Sequence, residues 1–274
     1  MSNTQTIVAP LVAEPVGEGL PLVALHASGM SSRQWARLAK DAPAHHTRFR
    51  VLAADLLGVG KTPMPEGPYA LSREVDALLA LLDTVDEPAF VLGHSFGGLV
   101  AIEAALRAPE KFRALALYEP VVVVLAAAHG SEEAKAQCAR IGDLMREDVS
   151  ASYDRWIEHF IDWWNAPGFY QSLPAPARAQ YLATAAEAHR QAGVVQTSSA
   201  TRENLARCAV PTLFVHGDTS PAAARESARI ASNAMPDARV FRVEGAGHMA
   251  PLTHTSVVNS AVLAFFSAMY DQPL

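Results

Sequence analysis

The sequence has little of what marks nucleic-acid-binding or disulfide-stabilised proteins. Only 18% of the 274 residues are charged, and the formal net charge is -6, so no basic surface for nucleic acid or anionic lipid is indicated. Cys138 and Cys208 are the two cysteines, and they form no C-x-x-C pair, which argues against a disulfide framework or a zinc site. We therefore expect a small-molecule partner and no nucleic acid, and the sequence leaves the oligomeric state open.

Long hydrophobic runs are also missing. The longest uninterrupted one, VVVVLAAA at 121–128, is far shorter than the roughly 20 residues that span a bilayer. The segment 1–19 has neither the basic region nor the long apolar region of a secretory signal. These absences predict a protein without membrane association that resides in the cytoplasm.

Short apolar segments bounded by turn residues are typical of buried strands, and helical patterns lie between most of them. The alternation predicts an α/β fold with a mostly parallel, doubly wound sheet and helices on both faces. The predicted helices are 73–85 and 97–108, the second ended by Pro109. The predicted strands are 21–28, 50–58, 89–95, 114–120, 211–218 and 238–245.

The alternation is interrupted between 129 and 205, where three helical patterns occur with no strand between them. We expect residues 129–205 to form an all-helical cap on a core domain of residues 1–128 and 206–274. Because open α/β sheets bind ligands at the carboxyl ends of their strands, the cap is expected to cover that edge.

The pentapeptide GHSFG at 93–97 lies between a predicted strand and a predicted helix, which is the setting of a serine nucleophile. Small residues at Gly93 and Gly97 permit a sharp turn that exposes the Ser95 hydroxyl at the helix N-terminus. The backbone N–H of Phe96 can then stabilise the anion formed during acyl transfer. A structural glycine turn is the alternative interpretation.

A general base and a second oxyanion donor have candidates in two other loops. His248, in GAGH after the last predicted strand, can take the serine proton, since an imidazole titrates near neutral pH. In LHASGMSSRQW at 25–35, the Ser28 N–H is the candidate donor beside Phe96. This loop could instead cap the next helix through Ser31 or Ser32.

The segments LHASG, DLLGVGKT, GHSFGG and GAGHMAP occur in an order and spacing that resembles the α/β-hydrolase superfamily. The resemblance covers essentially the whole chain. It implies a hydrolase that uses Ser95 and His248 and needs no metal or organic cofactor. Leu57 and Val59 replace the usual Pro and His of the family's D-x-P-G-x-G-x-S loop, and Ala27 replaces the usual Gly of its H-G-x segment.

The triad acid departs from the usual family pattern. Members with the acid after the seventh strand carry it three residues beyond the strand-end glycine, and here that position is Ser220. Other members place the acid at the end of the sixth strand, where this chain has Glu119. A carboxylate that ends so apolar a run needs a partner, and an imidazolium is suitable. Glu119 is the preferred acid and Asp218, one residue past Gly217, the alternative.

Aromatic side chains in the predicted cap recur at helical spacing and predict an apolar face. This face can pack on the main domain, line a substrate pocket, or do both. The expected pocket residues are Met30, Trp156, Phe160, Trp163 and Trp164.

The function expected is hydrolysis of a small, apolar carboxylic ester through an acyl-enzyme on Ser95. A thioesterase or a carbon–carbon bond hydrolase would use the same groups, and a hydrolase-like ligand sensor with little turnover is a further alternative. Serine at position 95 argues against dehalogenation and epoxide opening, because the family's usual route to both requires a carboxylate there.

Overall fold

A seven-stranded sheet forms the centre of the protein in a computed structural model that describes residues 9–149 and 152–270. The strand order is β1-β3-β2-β4-β5-β6-β7; β1 pairs antiparallel with β3 and all other neighbours are parallel. This confirms the mostly parallel α/β sheet. The strands are β1 Val12–Val16, β2 Leu20–Leu25, β3 Phe49–Asp55, β4 Ala89–His94, β5 Phe112–Tyr118, β6 Thr212–Gly217 and β7 Ala238–Val243.

Strands β2 to β7 correspond to the six strands predicted from the sequence, whereas β1 was not predicted. Its sequence, VAEPV, contains Glu14 and Pro15, which obscure the apolar pattern. Proline is tolerated there because β1 lies at the edge of the sheet, where a missing N–H donor breaks no ladder.

Helices cover both faces of the sheet, as the alternation predicted. They lie in the connections between strands, including the long segment between β5 and β6, and after β7. They are α1 Ala36–Asp41, α2 Leu71–Leu82, α3 Phe96–Arg107, α4 Val123–His129, α5 Glu132–Leu144, α6 Asp154–Trp164, α7 Phe169–Ser172, α8 Ala175–Ala183, α9 Ala185–Val194, α10 Arg202–Leu205, α11 Ala222–Ala234, α12 Ala250–Thr253 and α13 Thr255–Tyr270.

Two apolar layers hold these helices to the sheet. The central strand β4 is buried along its whole length and sends Phe90 and Leu92 to one layer and Val91 to the other. The first layer contains Leu38 of α1 and Val262 of α13, while the second contains residues of α2, α3 and α11. Because successive side chains of a strand point to opposite faces, an uninterrupted apolar run such as AFVL supplies both layers.

The segment between β5 and β6 contains α4 to α10, and no strand occurs among its described residues. The helical patterns at 129–148 and 152–165 form α5 and α6. The pattern at 176–193 forms two helices: α8 ends at Ala183 and α9 begins at Ala185, with Thr184 between them. The predicted domain division stays a prediction: α4 crosses its boundary at residue 129, and residues 1–8 and 271–274 of the predicted core lie outside the described residues.

The edge strand β7 is exposed at four of its six residues, among them Val240, 52% exposed, and Phe241, 37% exposed. Arg239 and Arg242 flank these two apolar residues. No helix within 9–149 and 152–270 is both long and apolar enough to cross a bilayer.

Candidate active site

The turn from β4 to α3 places Ser95 in an unusual backbone conformation, with φ of 55° and ψ of -117°. Gly97 packs so tightly below it that a Cβ would lie 2.6 Å from the carbonyl oxygen of His26, and a Cβ on Gly93 would lie 2.6 Å from the Cα of Gly98. Glycine is therefore required at both positions, for the reason expected from the sequence. The Ser95 hydroxyl group lies at the N-terminus of the twelve-residue helix α3.

The side chains of Ser95, His248 and Glu119 form a continuous hydrogen-bonded chain. Nε2 of His248 lies 3.1 Å from Oγ of Ser95, and Nδ1 lies 2.7 Å from Oε2 of Glu119. The carboxylate can only accept, so Nδ1 carries a proton and Nε2 of the neutral imidazole is free to accept the serine proton. Each of the three residues is at most 4% exposed.

Glu119 lies just beyond β5 and has a positive φ of 41°. Its other oxygen, Oε1, accepts hydrogen bonds from the Gly217 N–H at 2.8 Å and the Ser220 hydroxyl at 2.5 Å. Two donors on Oε1 and the imidazole on Oε2 satisfy this fully buried carboxylate. The residue at the usual acid position, Ser220, thus binds Glu119.

Asp218, the alternative acid, does not join this chain of hydrogen bonds. Its backbone N–H donates to the Val243 carbonyl at 3.3 Å, and its Oδ1 is buried with no partner within the described part of the chain. The turn between β6 and α11 directs Ser220, two residues later, toward Glu119. The structure therefore brings Glu119 to His248 and leaves Asp218 apart.

Ser28 and Phe96, the two expected oxyanion donors, border the same cavity as Ser95. The alternative interpretation of the Ser28 loop was helix capping. Ser31 is the N-cap of a short 3₁₀ turn at Ser32–Trp35, but its side chain accepts no capping hydrogen bond there, and the Ser32 N–H donates to Asp55 instead. The loop therefore borders the cavity through Ser28, and the Ser31 side chain does not cap the turn that follows.

Within the described residues, two small cavities border Ser95, each with a volume of about 10 Å³, room for about one water molecule. Both are bordered by Ser28, Ser95, Phe160 and Trp164. The first cavity is otherwise lined by Phe96, Val121, Val123, Met145, Ala192 and Val195. The second cavity is otherwise lined by Ala27, Ile161, Asn165, Tyr181, His248 and Met249. Apart from His248, neither cavity is bordered by a charged or basic side chain.

Of the five residues expected in the pocket, Phe160 and Trp164 border both cavities, whereas Met30, Trp156 and Trp163 border neither. Trp156 lies two turns before Trp164, donates its indole N–H to the Leu144 carbonyl and stacks on Phe160. Trp163 packs edge-on against Trp164. Met30 is half-buried and packs on the apolar core. The aromatic stripe is thus mainly a packing face, and only one end of it reaches the cavities.

Trp164 also stacks directly on the imidazole of His248, with ring centroids 4.1 Å apart and an angle of 19° between the planes. Its Nε1 is buried with no hydrogen-bond partner in the described residues. Helical spacing predicted an aromatic face on α6, but it carries no information on which ring reaches a loop more than 80 residues away. The sequence therefore gave no signal for this contact.

No group of three or more His, Cys, Asp or Glu side chains in 9–149 and 152–270 is arranged to hold a metal ion. Both cysteines are buried, and burial raises the pKa of each thiol.

The family model of the alpha/beta hydrolases matches residues 22–261, most of the chain. The chain belongs to the alpha/beta hydrolase family. A solved alpha/beta hydrolase from a deep-sea metagenome library of the Medee basin has the same fold, with a TM-score of 0.77 and 16% identity over 96% of this chain and 95% of that one. The expected family and fold class are both confirmed.

Two curated relatives of this hydrolase have different activities. A 2-hydroxymuconate semialdehyde hydrolase of Pseudomonas putida is 32% identical over 167 residues, 58% of this chain and 59% of its own length. A pimeloyl-[acyl-carrier protein] methyl ester esterase of Aeromonas salmonicida is 36% identical over 103 residues, 37% of this chain and 38% of its own. The matches thus span well under two thirds of either relative, and they support hydrolysis without specifying the bond.

Proposed function

We propose that this hydrolase cleaves a small, uncharged and mainly apolar carboxylic ester through an acyl-enzyme on Ser95. The observation that carries the proposal is the hydrogen-bonded chain Ser95–His248–Glu119 beside two apolar cavities. A serine hydroxyl becomes a competent nucleophile when a base removes its proton and a carboxylate orients that base.

In the proposed reaction, Oγ of Ser95 attacks the ester carbonyl carbon while its proton moves to Nε2 of His248. The N–H groups of Ser28 and Phe96 stabilise the oxyanion of the tetrahedral intermediate, assisted by the N-terminus of α3. Collapse breaks the bond to the alcohol oxygen, which takes the proton from Nε2. Water then gives a proton to Nε2 of His248 and attacks the acyl carbon. The bond from that carbon to Oγ breaks, Oγ takes the proton back from Nε2, and the carboxylic acid leaves with Ser95 and neutral His248 restored.

The lining of the cavities supports separate places for the two halves of the ester. The leaving alcohol must lie near His248 to receive its proton, which favours the second cavity, bordered by that imidazole. The acyl group is then assigned to the first cavity, lined by Val121, Val123 and Val195. Aliphatic side chains favour an aliphatic acyl chain through burial of apolar surface.

The second candidate is carbon–carbon bond hydrolysis, which one of the relatives performs on 2-hydroxymuconate semialdehyde. Such a substrate carries a carboxylate, and a buried carboxylate needs a cationic or hydrogen-bonding partner. Neither cavity is bordered by lysine or arginine, so a carboxylate in the second cavity would have hydrogen-bonding residues such as Asn165 and Tyr181 beside it but no cation. This observation favours a neutral ester over an acidic dienoate.

The test combines active-site labelling with turnover. A fluorophosphonate probe is expected to label the wild type stoichiometrically and to leave Ser95→Ala unlabelled. Short-chain p-nitrophenyl esters are expected to turn over, whereas 2-hydroxymuconate semialdehyde is not. Absence of an adduct on the folded wild type would refute the serine nucleophile, and faster turnover of the dienoate than of every ester would favour the second candidate.

A further inference from the structure

Next to the active site, two buried side chains, those of Gln34 and His94, link a backbone N–H to a backbone carbonyl in a second chain of hydrogen bonds. The Ala27 N–H donates to Oε1 of Gln34 at 3.1 Å, and Nε2 of Gln34 lies 3.0 Å from Nδ1 of His94. Nε2 of His94 lies 2.9 Å from the carbonyl oxygen of His248. Ala27, Gln34, His94 and His248 are each at most 5% exposed.

The first member of this chain, the Ala27 N–H, determines which atom donates and which accepts in every hydrogen bond that follows. A backbone N–H can only donate, so the Gln34 oxygen faces Ala27 and its NH₂ group faces His94. The NH₂ group also only donates, so Nδ1 of His94 must accept and the proton must be on Nε2. That Nε2–H then has the correct partner, because a carbonyl oxygen only accepts.

His26 is fixed in the opposite tautomer by the same reasoning. The Leu56 N–H lies 3.0 Å from Nε2 of His26, which must therefore accept. The proton is then on Nδ1, which lies 2.8 Å from the Ala27 carbonyl oxygen. Burial lowers the pKa of His26 to about 4 and lowers that of His94 well below its usual value, so both rings are neutral at pH 7.

These bonds constrain the peptide that ends in the Ser28 N–H. In a trans peptide the carbonyl group and the following N–H point in opposite directions. The Ala27 carbonyl oxygen is held by Nδ1 of His26 and by the Met30 N–H, so the Ser28 N–H points away from both. Ser28 borders both cavities beside Ser95.

We propose that Gln34 and His94 are positioning residues that join the loop of Ser28 to the loop of His248, and that His26 fixes the direction of the Ser28 N–H. The proposal rests on the proposed function, because it assigns Ser28 to the oxyanion and His248 to the base. It accounts for a histidine and a glutamine that touch no reacting atom. These hydrogen bonds hold the Ser28 N–H and the His248 ring at a fixed distance and orientation, which is how a preorganised site avoids reorganisation during the reaction.

The first test needs no substrate. Long-range ¹H–¹⁵N spectra of the wild type at pH 7 are expected to show His26 protonated on Nδ1 alone and His94 on Nε2 alone, assigned with His26→Asn and His94→Asn. A His94 ring protonated on Nδ1, or on both nitrogens, would overturn the proposal. Because it does not involve turnover, this result stands even if no ester is hydrolysed.

The second test makes the same substitution, glutamine to methionine, at two positions. Gln34→Met removes both side-chain hydrogen bonds, and Gln191→Met is the control, because Gln191 is 1% exposed and its amide has no partner in the described residues. Removing an oxyanion donor costs on the order of 10² to 10³ in kcat. Gln34→Met displaces the Ser28 N–H without removing it, so this variant is expected to lower kcat about 10- to 100-fold with KM within about threefold of the wild type. Gln191→Met is expected to leave kcat within about twofold of the wild type.

A folded Gln34→Met enzyme with kcat within threefold of wild type would overturn the positioning role, whereas a wild type that fails to react with fluorophosphonate would instead refute the proposed function. If Gln34→Met does not fold, Gln34→Glu serves in its place. Its carboxylate still accepts from Ala27 but cannot donate to His94. It is expected to put a proton on Nδ1 of His94 and to lower kcat, and an unchanged His94 spectrum with unchanged kcat would contradict the proposal.

Discussion

At the scale of single residues, the carboxylate of Glu119 determines which nitrogen of His248 can accept a proton. Glu119→Gln keeps the shape, but the Gln oxygen must accept from Gly217 and Ser220, so its NH₂ group faces Nδ1. Nδ1 then loses its proton to Nε2, and the base is lost. We expect kcat to fall about 10⁴-fold, as when an amide replaces a triad aspartate.

The matched control is Asp218→Asn, which is expected to leave kcat within about threefold because the hydrogen bonds of the His248 ring go to Ser95 and Glu119. Steady-state kinetics on a p-nitrophenyl ester measure both variants. A large loss in Asp218→Asn and a small one in Glu119→Gln would exchange the roles of the two acids.

Ser220 supports Glu119 through one of the two hydrogen bonds to Oε1. Ser220→Ala is expected to lower kcat about tenfold with little change in KM, since a hydrogen bond to a charged group contributes about 1.5–3 kcal/mol. Ser227→Ala is the control: Ser227 is buried on α11, and its hydroxyl has no partner among the residues described. Equal kcat values for the two variants would show that Ser220 does not support the acid.

At the scale of the element, helix α6 closes the active site. Each of the two cavities beside Ser95 has room for about one water molecule, too little for an ester, so we expect side chains that border them, among them Phe160 and Trp164 of α6, to move when a substrate enters. Trp164→Ala is expected to raise kcat/KM for a bulky ester relative to a short one by more than tenfold, because it joins and enlarges both cavities. Trp164→Phe, which retains a ring over His248, is expected to change this ratio much less.

Trp163→Ala provides the comparison for this prediction, because Trp163 touches Trp164 but borders neither cavity. It is expected to leave the ratio between bulky and short esters within about twofold. A ratio that responds equally to both alanine variants would show that α6 controls access through its position as a whole rather than through the Trp164 ring.

Elements were predicted from the sequence more completely than contacts between them. Strands β2 to β6 are mainly buried and have apolar runs that need no tertiary information, whereas the edge strand β1 contains Glu14 and Pro15 and has no such run. Ser95 and His248 could be predicted as catalytic residues because their loops follow recognisable strands. The contacts of Gln34 with His94 and of Trp164 with His248 join residues 60 and more than 80 positions apart, and no local pattern records them.

At the scale of the whole molecule, acid is expected to weaken the fold through His26. Burial lowers the pKa of His26 from 6.5 to about 4, opposed by its hydrogen bond to Ala27 and by Asp55. The unfolded chain therefore binds a proton as the pH falls below 6.5, while the folded protein does so only near pH 4. The stability that this group contributes is present above pH 6.5 and is lost as the pH falls to about 4.

Urea unfolding measures this effect. Between pH 7 and pH 4 the loss attributable to His26 is about 3 kcal/mol, and His26→Asn, which does not titrate, is expected to show a correspondingly smaller loss. Burial also raises the pKa of Glu74 from 4.5 to about 7, so its contribution to stability is present below pH 4.5, is lost as the pH rises to about 7, and opposes that of His26 over this range. Identical pH slopes in the wild type and His26→Asn would contradict the assignment to His26.

Two of the proposed catalytic residues, Ser95 and Glu119, have positive φ angles of 55° and 41°. A non-glycine residue in such a conformation costs on the order of 1–3 kcal/mol. Glycine at position 95 would remove that cost and abolish the proposed chemistry, whereas glycine at position 119 would also remove the hydrogen bonds of the buried carboxylate to Gly217, Ser220 and His248. At position 95, selection for thermal stability alone would therefore favour an inactive protein.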